Sequence, residues 1–167
     1  MTIRAATESD LTAIAAIYGH EARTGIATFD TEPRSIEQWR EHLDSTAPGD
    51  HLLVATSDET ILGYAHSAAY RPKPCYDATR ETSIYLTPDA QGQGLGRQMY
   101  GDLLGWLVAD GIRTVVAAVA LPNPASLALH RACGFEEVGV MREVGRKFGR
   151  WIDVLWLEKS LAGRVTR

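Results

Sequence analysis

Glu81-Thr82-Ser83-Ile84-Tyr85-Leu86-Thr87-Pro88, followed closely by Gln91-Gly92-Gln93-Gly94-Leu95-Gly96-Arg97, is the stretch that decides the fold. The first segment reads as a strand stopped by Pro88, and the second as a glycine loop opening a helix. Glycines at 92, 94 and 96 let the chain turn tightly and present successive backbone N–H groups with no side chain in the way. A strand, such a loop and a helix N-terminus together make a cradle for a diphosphate. Two familiar phosphate loops do not fit. The third glycine of the dinucleotide fingerprint is not at its required offset, and no Gly-Lys-Ser/Thr follows. What does fit is Gln-x-x-Gly-x-Gly, formed by Gln91, Gly94 and Gly96.

Downstream, Leu95, Met99, Leu103, Trp106 and Leu107 make one face of a helix that ends at Asp110-Gly111. Thr114 to Ala120 is a run of small and β-branched residues, as expected of a strand covered on both faces. Asn123-Pro124 starts another helix, with Asn at the cap and Pro in the first turn, ending at Gly134. The tail from Glu137 to Leu161 alternates about Lys147-Phe148-Gly149-Arg150 and reads as a long hairpin. Upstream, Ile3 to Ala6 is a short strand, and Thr7 is placed to cap a helix with the apolar stripe Leu11, Ile14, Ile17 and Tyr18. Ser35 to Gln38 has the capping-box arrangement ahead of Ile36, Trp39 and Leu43. Between these helices, Thr24 to Pro33 is a loop whose Phe29 belongs to a residue type more often buried than exposed. His51 to Thr56 and Ile61 to Ala69 pair as a hairpin, and Tyr70 to Arg80, with two prolines, is a loop. The order β α α β β β α β α β β defines an α+β fold in three layers.

At 167 residues, one domain spanning 1–167 is expected. Hydrophobic residues at 45% and charged residues at 23% are those of a soluble globular protein. A formal charge of -4 without a concentrated basic run argues against nucleic acid and acidic membrane surfaces and leaves small molecules as partners. No apolar run approaches the roughly 18 residues of a membrane span, and Met1-Thr2-Ile3-Arg4 opens a strand instead of a signal peptide, so a cytoplasmic protein is expected. Cys75 and Cys133 lack metal-ligand spacing and are too few for a disulfide framework; both read as reduced thiols, with no metal site.

The Gln91-Gly94-Gly96 loop resembles the pyrophosphate loop of the GNAT superfamily of N-acetyltransferases, and the element order matches that fold over nearly the whole chain. A second segment, Asn123-Pro124-Ala125-Ser126-Leu127-Ala128-Leu129-His130 through Gly134-Phe135, is similar to the family's Asn-x-x-Ser/Ala-x-x-Leu-Tyr-x-x-x-Gly-Phe. His130 stands in the tyrosine position, as it does in the phosphinothricin acetyltransferase branch. Thr28-Phe29 with Thr31-Glu32-Pro33, Arg71-x-Lys73-x-x-Tyr76-Asp77, Glu81-x-Ser83-x-Tyr85 and Lys147-Phe148-Gly149-Arg150-Trp151-x-Asp153-Val154 resemble the same branch. The resemblance implies a mixed central sheet flanked by helices, a homodimer, and acetyl-CoA as co-substrate. It assigns acetyl-CoA to Ile84, Tyr85 and Leu86, to Gln91, Gly92, Gln93, Gly94, Leu95, Gly96 and Arg97, and to Asn123 and Ser126. Phe29, Arg71, Lys73, Tyr76 and Tyr85 are assigned to the acceptor.

The chemistry accounts for several of these residue types. An amino acid's amine is mostly protonated at pH 7, so a base is wanted before it can attack a thioester, and Glu81 either takes that proton, directly or through water, or is a solvated carboxylate at a strand end. His130 is either a second proton carrier or a residue packed beside the pantetheine arm. The backbone N–H of Leu86 would polarise the thioester oxygen. Tyr85 walls the acceptor pocket or sits in the core, and Arg97 meets a phosphate or solvent. Arg71 and Lys73, in a loop stiffened by Pro72 and Pro74, form a carboxylate site or are plain surface charges. The expected reaction is acetyl transfer to the α-amine of a small amino acid or analogue by direct attack. Acetylation of a polyamine, an aminoglycoside or a protein N-terminus, and a non-catalytic CoA-binding module, are the alternatives. Ala78 and Ile152 depart from the phosphinothricin enzymes, which leaves methionine sulfoximine, methionine sulfone and other analogues open as acceptors.

Overall fold

Along the chain run β1 (Thr2–Ala5), α1 (Leu11–Thr24), α2 (Ile36–Leu43), β2 (His51–Ser57), β3 (Thr60–Ala69), β4 (Thr79–Leu86), α3 (Leu95–Ala109), β5 (Thr114–Ala120), α4 (Pro124–Ala132), β6 (Glu136–Lys147) and β7 (Arg150–Ser160), in a computed structural model that describes residues 1–162. The strands form one mixed sheet in the order β1-β2-β3-β4-β5-β7-β6. β4 and β5 run parallel; the other neighbouring pairs are antiparallel. Period-two alternation divides β2 between two cores. Leu52 and Val54 pack with Leu11, Ile14, Tyr18 and Trp39, beneath α1 and α2. Leu53 and Ala55 pack with Leu95, Met99 and Leu103 beneath α3 on the opposite face. Three layers follow, and each large apolar side chain so buried contributes about 1.5–3 kcal/mol.

The Ser35 capping box forms as the sequence implies: Gln38 N–H donates to Ser35 Oγ at 3.2 Å and Ser35 N–H to Gln38 Oε1 at 2.9 Å. Thr7 does not cap α1 directly. It heads a single 3-10 turn, Glu8–Asp10, because the Asp10 carboxylate accepts from Thr7 N–H at 2.8 Å and is gripped by Arg4 at 2.6 Å. β4 begins two residues before Glu81, since Thr79 and Arg80 pair in parallel with Thr114 and Val115. β5 is not covered on both faces along its length. Val115, Ala117 and Val119 are buried, but Ala118 is exposed where β4 and β5 part.

The long hairpin turns at Phe148-Gly149, both with positive φ. β7 pairs with β5 and leaves β6 at the sheet edge. The β6–β7 register breaks between Met141 and Gly145, with Glu143 at φ 49. Asp153 holds this bulge by accepting from Glu143 N–H at 2.8 Å and from Arg142 at 2.7 Å.

The hydrogen bond from Arg4, outweighing the cost of burial and aided by Thr7, lowers the Asp10 carboxyl to about 2. A lowered carboxyl stabilises the fold above its unfolded pKa, and that stability is lost as pH falls through the folded value. Asp10→Asn is therefore expected to cost about 1 kcal/mol at pH 7, allowing for screening at the partly exposed Arg4. Urea titrations of the two proteins should converge between about pH 4 and pH 2.

Candidate active site

β4 and β5 are in register over Thr79–Glu81 with Thr114–Val116, and then both continue, to Leu86 and Ala120, without pairing. A cleft of about 550 Å³ fills the gap and runs from Ile84 and Leu86 past the glycine loop to Asn123 and His130. Gly94, at φ 79, is the N-cap of α3, and Gly92 has φ 73. The N–H groups of Gly92 through Gly96 have no acceptor among the described residues. A Cβ at Gly92 or Gly94 would meet nothing within 4 Å, so that flank of the loop faces open space. At Gly96 the reason for glycine differs: a Cβ would stand 3.0 Å from Leu129, where α4 comes against α3. Free donors and open space at a helix N-terminus fit the diphosphate of acetyl-CoA.

Arg97 lines this cleft on the exposed first turn of α3. Gln91 lines it too, whereas the Gln93 side chain turns away and donates to the Asp89 carbonyl at 2.6 Å. Asn123 caps α4 by accepting from Ser126 N–H at 3.1 Å, which leaves its amide Nδ2 without a partner among the described residues. His130 is buried, and both its ring nitrogens are engaged. Nδ1 lies 2.7 Å from the Ser126 carbonyl, an acceptor, so Nδ1 carries the proton; Nε2 then accepts from Tyr100 O–H at 2.9 Å. Burial, opposed by the bond to the Ser126 carbonyl, lowers its pKa below the ordinary imidazole value.

A second cleft, of about 520 Å³, opens on the other face of β4. Ala27, Ser83, Tyr85, Ala118 and Ala120 line both clefts, so the two are joined across the strand gap. Glu81, Ser83 and Tyr85 alternate along β4 toward this second space. Burial pushes the Glu81 carboxyl above its ordinary range, against the opposing pull of Arg71. No hydrogen bond or ion pair holds that carboxylate among the described residues.

The segment from Gly25 to Arg34 forms the outer wall. Glu21 accepts from Ala27 N–H at 2.8 Å, Tyr18 O–H contacts Thr28 Oγ1 at 2.7 Å and Asp30 at 2.5 Å, and the buried Lys147 donates to the Thr28 carbonyl at 2.8 Å. Phe29 is 41% exposed, contrary to its type; it lies over Gly145 of β6, where no side chain intervenes, and lines the cleft. Arg71 also lines the cleft, stacked over Tyr70 at 5.0 Å. Lys73 and Tyr76 line neither cleft. Tyr76 instead packs edge-on to Tyr70, which packs on Trp156, and this ring chain carries Arg71 at the mouth.

Sequence reasoning missed Asp30, Arg34, His66, Met141 and Val144, all in the second cleft. His66 was in principle accessible, because it pairs with Ser83 across β3 and β4. The bulge that aims Met141 and Val144 leaves no trace in the alternation of β6.

Splayed parallel strands, a free glycine loop at a helix start and a second cleft joined through the gap define an N-acetyltransferase. The chain belongs to the acetyltransferase (GNAT) domain family, whose profile matches residues 3–156. It is 44% identical over 164 residues to a phosphinothricin N-acetyltransferase of Streptomyces coelicolor, covering 95% of each chain. It is 35% identical to an L-methionine sulfoximine/L-methionine sulfone acetyltransferase of Pseudomonas aeruginosa, covering 96% of this chain and 94% of that one. A solved phosphinothricin acetyltransferase from Sinorhizobium meliloti, in complex with acetyl-CoA, superposes with a TM-score of 0.90 at 35% identity, covering 95% of this chain and 87% of that one.

Gly94→Val would place a β-branched residue at φ 79, a strain of about 1–2 kcal/mol, and set its side chain in the open space beside the loop's free N–H groups. The dissociation constant of acetyl-CoA, read by calorimetry, should rise about tenfold or more. Unchanged affinity in a folded variant would remove the loop from the site.

Proposed function

We propose that this enzyme transfers acetyl from acetyl-CoA directly to the α-amine of a small amino acid or analogue of the phosphinothricin, methionine sulfoximine or methionine sulfone type. The observation that carries this reading is the joining of the two clefts through Ser83, Tyr85, Ala118 and Ala120, with Glu81 inside the acceptor half. Bound acetyl-CoA supplies the activated acetyl group. Gly92 to Arg97 hold its diphosphate through backbone N–H groups, Arg97 adds a charge, and the free Nδ2 of Asn123 faces the arm. Leu86 N–H polarises the carbonyl. Arg71 takes the acceptor's carboxylate and turns its amine toward Glu81, which removes the proton. The new C–N bond replaces the C–S bond with no covalent enzyme intermediate; CoA leaves as the thiolate and takes up the proton that the attacking nitrogen sheds, and neither Cys75 nor Cys133 lines a cleft. His130, neutral and bonded at both nitrogens, serves as a wall for the arm.

The same reading places residues 1–167 in one catalytic domain working in the cytoplasm as a homodimer. The apolar side chains exposed on the edge strand and its turn, Val138, Val140, Val144 and Phe148, support pairing with a second copy.

Glu81→Gln should lower kcat about 100-fold with acetyl-CoA affinity intact. The wild-type rate should fall as pH drops through the raised Glu81 pKa, and this acidic limb should vanish in the variant. Near wild-type turnover would exclude Glu81 as the base. Arg71→Ala should raise the amino-acid KM about tenfold and leave the acetyl-CoA KM unchanged.

A further inference from the structure

The acceptor cleft is lined by two guanidiniums that are not equivalent. Arg71 stands near Glu81, with no carboxylate within ion-pair distance among the described residues. Arg34 sits at the other end, 4.9 Å from the Tyr18 ring centroid, and its Nε donates to Asp30 Oδ2 at 3.0 Å. The same oxygen accepts from Tyr18 O–H at 2.5 Å, so Asp30 is held from two sides with its charge against Arg34.

Other groups at this end leave the balance near zero. Burial, with the bond to Asp30, raises the Tyr18 phenol to about 12, and burial raises Tyr85 further. Burial, with His42 and Arg34 close by, lowers His66 to about 3 and keeps it neutral. Lys147 lies behind Thr28, between Glu21 and Asp30, so two cations face two carboxylates. Nδ1 of His66 is buried without a hydrogen-bond partner among the described residues, and the side-chain bonds of Asp30 all go to Oδ2. His66 pairs with Ser83, two residues beyond Glu81, so it lies roughly 7 Å along the strand direction from the base. That is within reach of an amino-acid side chain whose amine meets Glu81.

We infer that Asp30 is a specificity-determining residue: by pairing with Arg34 it makes this end of the cleft select acceptors with an uncharged hydrogen-bonding side chain over acceptors with an anionic one. The inference rests on the amino-acid reading proposed above. An anionic head would have to displace Asp30 from Arg34 or lie beside a carboxylate, a penalty tempered by solvent because the two side chains are 40% and 41% exposed. An uncharged amide or sulfone oxygen accepts from the N–H of the neutral His66 ring and leaves the Asp30–Arg34 pair undisturbed.

The test measures kcat/KM for two pairs of acceptors, glutamine against glutamate and methionine sulfone against phosphinothricin. The wild-type enzyme should favour the uncharged member of each pair by about tenfold. Asp30→Asn frees Arg34 and should shrink that preference about fivefold, whereas Asp30→Glu should retain it. Acetyl-CoA affinity reports the fold of each variant. If Asp30→Asn does not fold, Arg34→Gln should deepen the bias against the anionic members by leaving Asp30 unpaired. Equal use of both members by the wild-type enzyme, or an unchanged ratio in a folded variant, overturns the inference alone. Turnover of spermidine or a peptide but of none of the four amino acids overturns the substrate reading and this inference with it.

Discussion

β4 and β5 part company after Glu81 and Val116, and the backbone groups of β4 beyond that point lose the neighbour that a sheet would give them. Unpaired backbone donors and acceptors in a sheet interior are costly unless something else bonds them. The fold answers by gathering its other elements around the gap. The glycine loop and α3 close one end, α4 approaches closely enough to require Gly96, and the segment from Gly25 to Arg34 covers the far face. A linear molecule with amide groups along its length is the natural tenant of such an opening, since it supplies the missing strand. The joining of the two clefts follows from the same parting, because a continuous sheet would wall them apart.

The two halves are held by different forces. Beside the glycine loop the free donors are backbone groups, fixed by helix and strand and insensitive to side-chain rotation. In the second cleft the geometry depends on side chains reaching from far along the chain. Tyr18 from α1 and Lys147 from β6 both fasten Thr28, and Asp153 fixes the bulge opposite. Glu81 has no hydrogen-bonded partner among the described residues, and burial, tempered by Arg71, raises its carboxyl above the ordinary range.

The structure around the glycine loop was legible in the sequence because its logic is local. Strand, proline stop, glycines and helix cap lie within 17 residues, from Glu81 to Arg97, and each has a residue-level signature. The Ser35 capping box and the turn at Phe148-Gly149 were readable for the same reason. The second cleft was legible only in fragments. Arg71 and Lys73 look alike in sequence, and only the stacking of Tyr76, Tyr70 and Trp156 sends one to the cleft and leaves the other outside. Phe29 is exposed because its partner surface is a glycine 116 positions away, a pairing that no window of sequence contains. The break in β6 depends on Asp153 in the next strand, so periodicity in β6 alone could not disclose it.

Gly145 shapes the mouth of the second cleft from a distance. A Cβ added there would overlap the edge of the Phe29 ring, so the ring occupies space that a side chain at position 145 would otherwise fill. From that position Phe29 lines the cleft. A substitution on the edge strand, 116 positions from Phe29, would thus displace part of the wall of a cleft that residue 145 does not itself line.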